Sequence, residues 1–336
     1  MLLLFTKVIL KWNKLPIFLS VVLFLLIFFI RLQQGGWEIS LDLFKRKRLV
    51  LDQKISQFLP SPQAELLSGI LLGQNKNLPV KLKLNLRDTS TLHIVVASGQ
   101  NLSMVGGLFL AMAGLIKRRN AIFLSLLAVT LYTLLSGVQV PILRAAIMFS
   151  LASLASIYGR VKDSIWILII TLSVMLLINP LWIKDLSFQL SALATIGVVV
   201  VAPVLLQYLR FLPLLGQDLS VTIGAQLMVI PIIIQNFHQL SLVSILTNLL
   251  VGWTIPFIMI LGGLMLMASF IWSGLAWILG LATVVILTYF IYIVGFFAAL
   301  PFAWEYVGEQ TWVVWVGYYI LLTGVLLVLI KSNIKN

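Results

Sequence analysis

Apolar residues run in long, nearly unbroken blocks, and polar residues gather at the block ends. A bilayer core of ~30 Å takes about 20 apolar residues in a helix, and blocks of that order recur ten times. They read as Leu15–Ile30, Ile94–Ile116, Ala121–Val140, Ile142–Tyr158 and Ile165–Ile178, then Leu186–Leu206, Leu219–Gln235, Leu242–Ile271, Leu275–Ala299 and Val313–Ile330. The first is short unless Trp12 and Leu32 extend it to the interfaces. The eighth is long enough to tilt or break, and Pro256 predicts a kink within it, because proline removes a backbone donor and crowds the preceding turn. These elements predict an all-α polytopic membrane protein.

Lysine and arginine at the block ends set the orientation. Lys7, Lys11 and Lys14 precede the first span and put the N-terminus in the cytoplasm. Alternating from there, the inner ends carry Lys117-Arg118-Arg119, Arg160 with Lys162, Arg210, and Lys331 with Lys335. The outer ends carry Asn179–Asp185, His238, and the segment with Glu305 and Glu309. Both termini are therefore expected inside. The chain divides into 1–32 (basic end and first span), 33–92 (extracytoplasmic), 93–331 (the main membrane domain) and a tail, 332–336.

The segment between the first two spans resists the charge rule. Residues 31–92 hold ten basic residues (Arg31, Lys45, Arg46, Lys47, Arg48, Lys54, Lys76, Lys81, Lys83, Arg87) against five acids (Glu38, Asp42, Asp52, Glu65, Asp88). A long loop can translocate despite its charge. Within it Leu41, Phe44, Leu49, Leu51, Ile55, Phe58 and Leu59 recur at roughly helical spacing, which predicts an interfacial amphipathic helix ended by Pro60 and Pro62. Gln63–Leu72 reads as a helix too brief to span, and Asn75–Arg87 as a basic linker. No internal repeat, low-complexity tract or cleavable signal peptide is visible.

Composition narrows the function. Of the 336 residues, 61% are hydrophobic and 10% charged, and the mean hydropathy is +1.11, which excludes a soluble globular enzyme and a disordered chain. There are no cysteines, and the two histidines, His93 and His238, fit no metal-ligand spacing. Neither a GxSxG elbow nor a Walker loop occurs, and no carboxylate pair faces another for acid–base work. No catalytic residue, cofactor or metal is expected. The net charge of +13 asks for an anionic partner, lipid headgroups or nucleic acid.

Polar groups at membrane depth cost ~2.5–3.5 kcal/mol when ionised, so each asks for a partner or a polar cavity. Four clusters stand out. His93, Ser98, Gly99, Gln100, Asn101 and Ser103 precede Gly106-Gly107; this reads either as unwound backbone lining a cavity or as a tight helix contact. Arg144 follows Pro141, and either snorkels or contacts an anion, for which its bidentate fork suits phosphate. Asp185, Ser187, Gln189 and Ser191 either cap and bind neighbouring helices or line a pore. Gln226, Pro231, Gln235, Asn236, His238, Gln239 and Asn248 form the last, in which His238 is an interfacial side chain or a proton relay.

These clusters, in order, resemble the competence domain of the ComEC family, the integral-membrane proteins of bacterial DNA uptake. His93, Ser98, Gly99 and Asn101 match its H-L-x-x-x-S-G-x-[HN]-V signature, with Leu71-Leu72-Gly73 upstream. Pro141–Met148 with Gly159-Arg160 match an RAAxM…GR stretch. Asn179-Pro180 and Asp185–Ser191 match a DP…DxGFQLS stretch, with Ser187 where glycine is usual, and Gln226, Pro231, Phe237-His238 and Asn248 match the following region. The likeness covers roughly residues 65–270. Full-length members resemble an outward OB-fold domain, this membrane domain and a metallo-β-lactamase-like domain. Here residues 31–92 are too short and too poor in β pattern for the first, and no hydrolase precedes Asn336, so nuclease and energy source are expected on other chains or missing.

The resemblance implies a channel component for single-stranded DNA in the bacterial cytoplasmic membrane. Lys45, Arg46, Lys47, Arg48, Lys81, Lys83 and Arg87 would concentrate the strand outside, and His93, Ser98–Asn101, Arg144, Asp185, Gln189, Ser191, Gln226, His238 and Asn248 would line the path. Its partners would be single-stranded DNA, membrane lipids, and separate DNA-receptor, nuclease and ATPase or helicase proteins. One protomer or a homodimer would form the pore. The alternatives are a transporter or flippase for another anionic polymer or lipid, and a scaffold that recruits a hydrolase or helicase.

Overall fold

The structure, a computed structural model, describes residues 14–35, 44–74, 76–96, 98–159, 163–213 and 215–335. Lys7, Lys11, Trp12, Leu41, Arg160 and Lys162, invoked above for orientation, amphipathic spacing and family likeness, lie outside the described residues. The first half holds α1 (Lys14–Gln34), α2 (Lys45–Phe58), α3 (Gln63–Leu72), α4 (Val80–Asp88), α5 (Leu92–Val95), α6 (Gly99–Ala111), α7 (Arg118–Leu135) and α8 (Val140–Ile157). The second holds α9 (Ser164–Ile178), α10 (Leu186–Ile196) continuing through a π turn into α11 (Ala202–Tyr208), α12 (Gly216–Phe237), α13 (Ser244–Gly252), α14 (Thr254–Ala268), α15 (Ser273–Ala298) and α16 (Trp312–Lys335). Two short strands, β1 (Gln239–Ser241) and β2 (Trp304–Tyr306), pair antiparallel with Leu240 opposite Glu305.

This is a helical, multi-pass membrane protein. Among the described residues six helices are long and apolar enough to cross a bilayer: α7, α8, the α10–α11 unit, α12, α15 and α16; the bent pair α13–α14 makes a seventh. The differences from the ten blocks have local causes. Ile94–Ile116 is not one helix, because Val96 and Ser98 are both extended. Leu242–Ile271 bends by 42° between α13 and α14. Its break falls at Trp253, three residues before Pro256, since the ring of a proline in the first turn of α14 displaces the carbonyl four positions back. Side chains fix several ends. Asp163 Oδ1 accepts from Ile165 N at 3.0 Å and caps α9, whose other end receives Arg31 Nε and Nη2 on the Leu177 and Ile178 carbonyls at 3.1 and 3.0 Å. A cation on terminal carbonyls is favoured by the helix dipole.

The segment expected to lie outside as an interfacial stretch packs along α15. Phe58 meets Trp277 with ring centroids 5.7 Å apart, Gln63 Nε2 donates to Thr288 Oγ1 at 2.9 Å, and Lys81 and Asn85 of α4 face Gly295 and Ala299. These contacts follow α15 from its first turns to its last. Helix α3 is buried from Leu66 to Leu72 against Ile255, Ile258, Leu287 and Phe290, as a helix apolar on all sides must be. The stretch read as a basic linker is helical over α4, with Leu82 and Leu86 buried. Lys54 Nζ donates to the Ser269 carbonyl at 3.3 Å and lies 4.9 Å from the Phe270 ring, fastening α2 to the α14–α15 turn.

Helix α12 crosses the α10–α11 unit at backbone contact. A Cβ on Gly197 would collide with the Gly224 carbonyl, and one on Gly224 would come within 2.9 Å of both Ala202 N and Gly197 O. Only glycine at both places allows this approach, which is how membrane helices pack without a hydrophobic driving force between them.

Candidate functional site

Three of the four polar clusters meet where α6, α8 and α10 converge. Ser98, extended at φ −108° and ψ 166°, is the N-cap of α6. Its Oγ accepts from Asn101 N at 3.3 Å and donates to Asn101 Oδ1 at 3.1 Å. The Asn101 amide in turn donates to the Ile70 carbonyl at 3.0 Å, which also receives Tyr132 Oη at 3.4 Å. The start of α6 is therefore tied to the end of α3. Gly99 sits against α8; a Cβ there would be 3.0 Å from Ala145 Cβ and 3.6 Å from Arg144 Nη2.

Arg144 occupies the centre. Its Nε donates to Ser191 Oγ at 2.6 Å, its Nη1 donates to Thr195 Oγ1, and Met148 Sδ lies 3.7 Å from the same nitrogen. Ser191 and Thr195 are four residues apart on α10 and so share a face. Thr195 Oγ1 also donates to the Ser191 carbonyl at 2.9 Å. Among the described residues no carboxylate pairs with Arg144, and all its partners are neutral. The guanidinium also faces the first residue of α6, whose free N–H groups form the positive end of a helix dipole. A cation next to a positive dipole, met by two hydroxyls and a thioether and by no carboxylate, is an environment suited to an anion.

The other expected path residues fall into different settings. Asn101, expected to line a path, is 1% exposed and joins α3 to α6. His93 and Gln100 are exposed, and His93 Nδ1 bonds the Ser90 carbonyl at 2.9 Å. Asp185 caps α10 by accepting from Phe188 N at 2.8 Å. Gln189 Nε2 turns back to the Ile183 carbonyl at 2.9 Å. Gln226 Nε2 reaches Ser244 Oγ at 2.5 Å, joining α12 to α13, and Asn248, one turn beyond Ser244, keeps Oδ1 buried without a hydrogen-bond partner. His238 adopts φ 55° at the end of α12 and faces the Tyr306 ring at 6.5 Å. Gln226, His238 and Asn248 thus stand in contacts of their own, none of which includes Arg144.

The expected outer cations also divide. Lys45, Arg46, Lys47, Lys81, Lys83 and Arg87 are exposed, and Arg87 pairs with Asp88 at 3.2 Å. Arg48 is 9% exposed. Its guanidinium lies where a side chain on Gly137 would stand, at the C-terminal end of α7, so it belongs to packing and not to an open cationic surface. Spacing alone missed this, since Arg48 looks like the fourth member of a solvated run. It also missed Thr195, whose signal was its position four residues after Ser191.

The chain is 29% identical over 220 residues to ComE operon protein 3 of Bacillus subtilis (strain 168), an overlap of 64% of this chain and 28% of that protein. It is 28% identical over 222 residues to the uncharacterized protein YcaI of Escherichia coli (strain K12), covering 59% of this chain and 28% of that one. The chain thus spans 28% of the length of each of these relatives. No solved structure matches it. Residues 70–332, from the joint at Ile70 through α16, match the family described as Competence protein, and the chain belongs to that family.

Proposed function

We propose that this protein is a channel component for uptake of single-stranded DNA across the bacterial cytoplasmic membrane during competence. One observation carries the reading: Arg144, between spanning helices, is held only by the hydroxyls of Ser191 and Thr195 and a thioether, at the N-terminal end of α6. A phosphodiester could replace those hydroxyls as the acceptor for the guanidinium N–H groups. The ComE operon protein in the match supports a competence setting.

Counting α1, the broken α5–α6 unit, α9 and the α13–α14 pair as crossings gives ten passes, with both termini inside. The pairing of β1 with β2 supports the count, because two passes separate them. In this reading α2 and α3 form a re-entrant hairpin: Arg48 lies at the outer turn after α7, and Lys54 at the inner turn after α14. Lys45, Arg46 and Lys47 remain at the outer mouth to gather the strand, with Lys83 and Arg87 of α4 beside them. Receptor, nuclease and ATPase or helicase proteins are the partners this reading implies.

The fork reads phosphate and not base, so a different anionic polymer or lipid is the competing cargo. Purified protein in liposomes with nuclease outside should protect labelled single strands, and protect duplex and an anionic polysaccharide far less. Protection of the polysaccharide but not of DNA would move the assignment to an envelope transporter.

A further inference from the structure

The outer third of α15 carries a cleft that the channel reading does not use. Its volume is ≈ 390 Å³, and its walls are Lys81 and Asn85 of α4 and Tyr292, Gly295, Phe296 and Ala299 of α15. Tyr292 is 70% and Phe296 54% exposed, while Gly295 and Ala299 leave the floor low between the aromatic rims. Just beyond it along the chain Phe302, Trp304, Tyr306 and Trp312 are exposed. Such a girdle marks the boundary between acyl chains and headgroups. Helix α4 therefore lies at headgroup level, with Val80 and Leu84 exposed one turn apart and Lys81 and Lys83 exposed without a carboxylate partner among the described residues. Arg87 is already paired with Asp88.

We infer that this cleft is a binding site for an anionic phospholipid. The phosphate is held by Lys81 and the Asn85 amide, and one acyl chain lies along Tyr292 and Phe296. Concavity and charge together distinguish it from the lipid that coats any spanning helix: the surface is basic only where α4 overhangs, and α15 itself contains no charged residue. Basic pockets between membrane helices bind anionic headgroups in this way. The inference is independent of the DNA path, because Arg144 takes no part in it.

Native mass spectrometry of the purified full chain in detergent, titrated with phosphatidylglycerol or with phosphatidylcholine of identical acyl chains, tests it. Phosphatidylglycerol should be retained preferentially, and Lys81→Gln should weaken it about fivefold, the effect of one cation near an anionic headgroup, with phosphatidylcholine unchanged. Phe296→Ala should weaken both lipids. Arg118→Gln, in an exposed cationic cluster elsewhere, should change neither. Equal retention of the two lipids, or phosphatidylglycerol binding indifferent to Lys81→Gln, overturns the site. So does displacement of the bound lipid by a single-stranded oligonucleotide whose own binding depends on Lys81, which would give α4 to the DNA. Failure of these tests leaves single-strand protection in liposomes untouched, so the two readings fail separately.

Discussion

Replacing Arg144 with methionine separates a cargo contact from a structural one. A guanidinium at membrane depth costs ~2.5–3.5 kcal/mol on insertion scales. Its hydrogen bonds to Ser191 and Thr195 return about 1.5 kcal/mol or more each, because the donor is charged. The two terms nearly cancel. Methionine fills much of the same volume and removes the charge; Thr195 keeps the Ser191 carbonyl as acceptor, and the Ser191 hydroxyl, which loses its guanidinium partner, is only half-buried. Arg144→Met should therefore change stability by less than about 1.5 kcal/mol, which is at most roughly 5 °C in thermal unfolding. Loss of one partner from a buried ion pair would cost about 3–5 kcal/mol. Uptake should fall far more: losing a charge-assisted contact with phosphate, about 1.5–3 kcal/mol, is about 10- to 150-fold. Arg144→Lys, which keeps the charge without the fork, should lie between the two. The assay is protected single-strand uptake per folded protein in liposomes, beside a fluorescence melt of the same preparation. If Arg144→Met melts far below the parent while uptake per folded molecule is unchanged, Arg144 is a brace and the reasoning fails. Unchanged uptake with an unchanged melt removes it from the path altogether.

Gly197→Ala should destabilise by about 2–3 kcal/mol, because its Cβ meets the Gly224 carbonyl, backbone against backbone. Gly107→Ala, where nothing lies near, should be neutral or slightly stabilising, and equal melts for the two would refute the close crossing. Asn101→Ala should cost about 1–3 kcal/mol by stripping the amide from the Ile70 carbonyl, with a parallel loss of hydrogen-exchange protection at the end of α3. Asn101→Asp should be no better, since a carboxylate cannot donate. Changing Lys45, Arg46 and Lys47 to glutamine should weaken capture of single strands at low salt and flatten its dependence on log salt by roughly two units, at about 0.7 per phosphate contact. Arg48→Gln should instead lower the melting temperature, being buried at Gly137.

The multi-pass helical class was legible because long apolar blocks have few folded alternatives to spanning helices. Asp185 was legible as a cap, since aspartate before an apolar run has a local role that needs no tertiary partner. The convergence of Ser98, Gly99, Arg144 and Ser191 was not. Each cluster carried the mark of polarity at depth, but nothing in spacing says that residues about 45 and 92 positions apart from Gly99 share one point. The α2–α3 segment misled for a related reason. Four of its charges sit at the start of α2 and its apolar residues run on through α3, and a charge count treats that as an outward loop. Packing treats it as two helices, one of which fills a groove beside Gly262, where Leu67 and Leu71 would otherwise meet a side chain. Arg48 shows the limit most simply: three of four consecutive cations are solvated, and helix geometry turns the fourth inward.

The turn after Thr195 bears on how the Arg144 contact is bounded. Helix α10 presents Ser191 and Thr195 on one face, and in an uninterrupted α-helix that face would continue through Val198 and Ala202. The π turn over Gly197–Val201 adds a residue to one turn and so rotates everything beyond it by about 100°. Gly197 lets the Gly224 carbonyl approach at this point, and the run of four valines that follows, Val198–Val201, carries β-branched side chains that crowd a regular α turn. The polar face ends at Thr195 because Val198 and Ala202 are apolar, and Val201 and Ala202 are buried toward α12. Single π turns occur often at functional sites. The hydroxyls that hold Arg144 thus form a patch two residues long and not a stripe down the helix. A strand drawn past Arg144 would leave α10 after one contact, and the rest of its route would have to be supplied by α6 and α8.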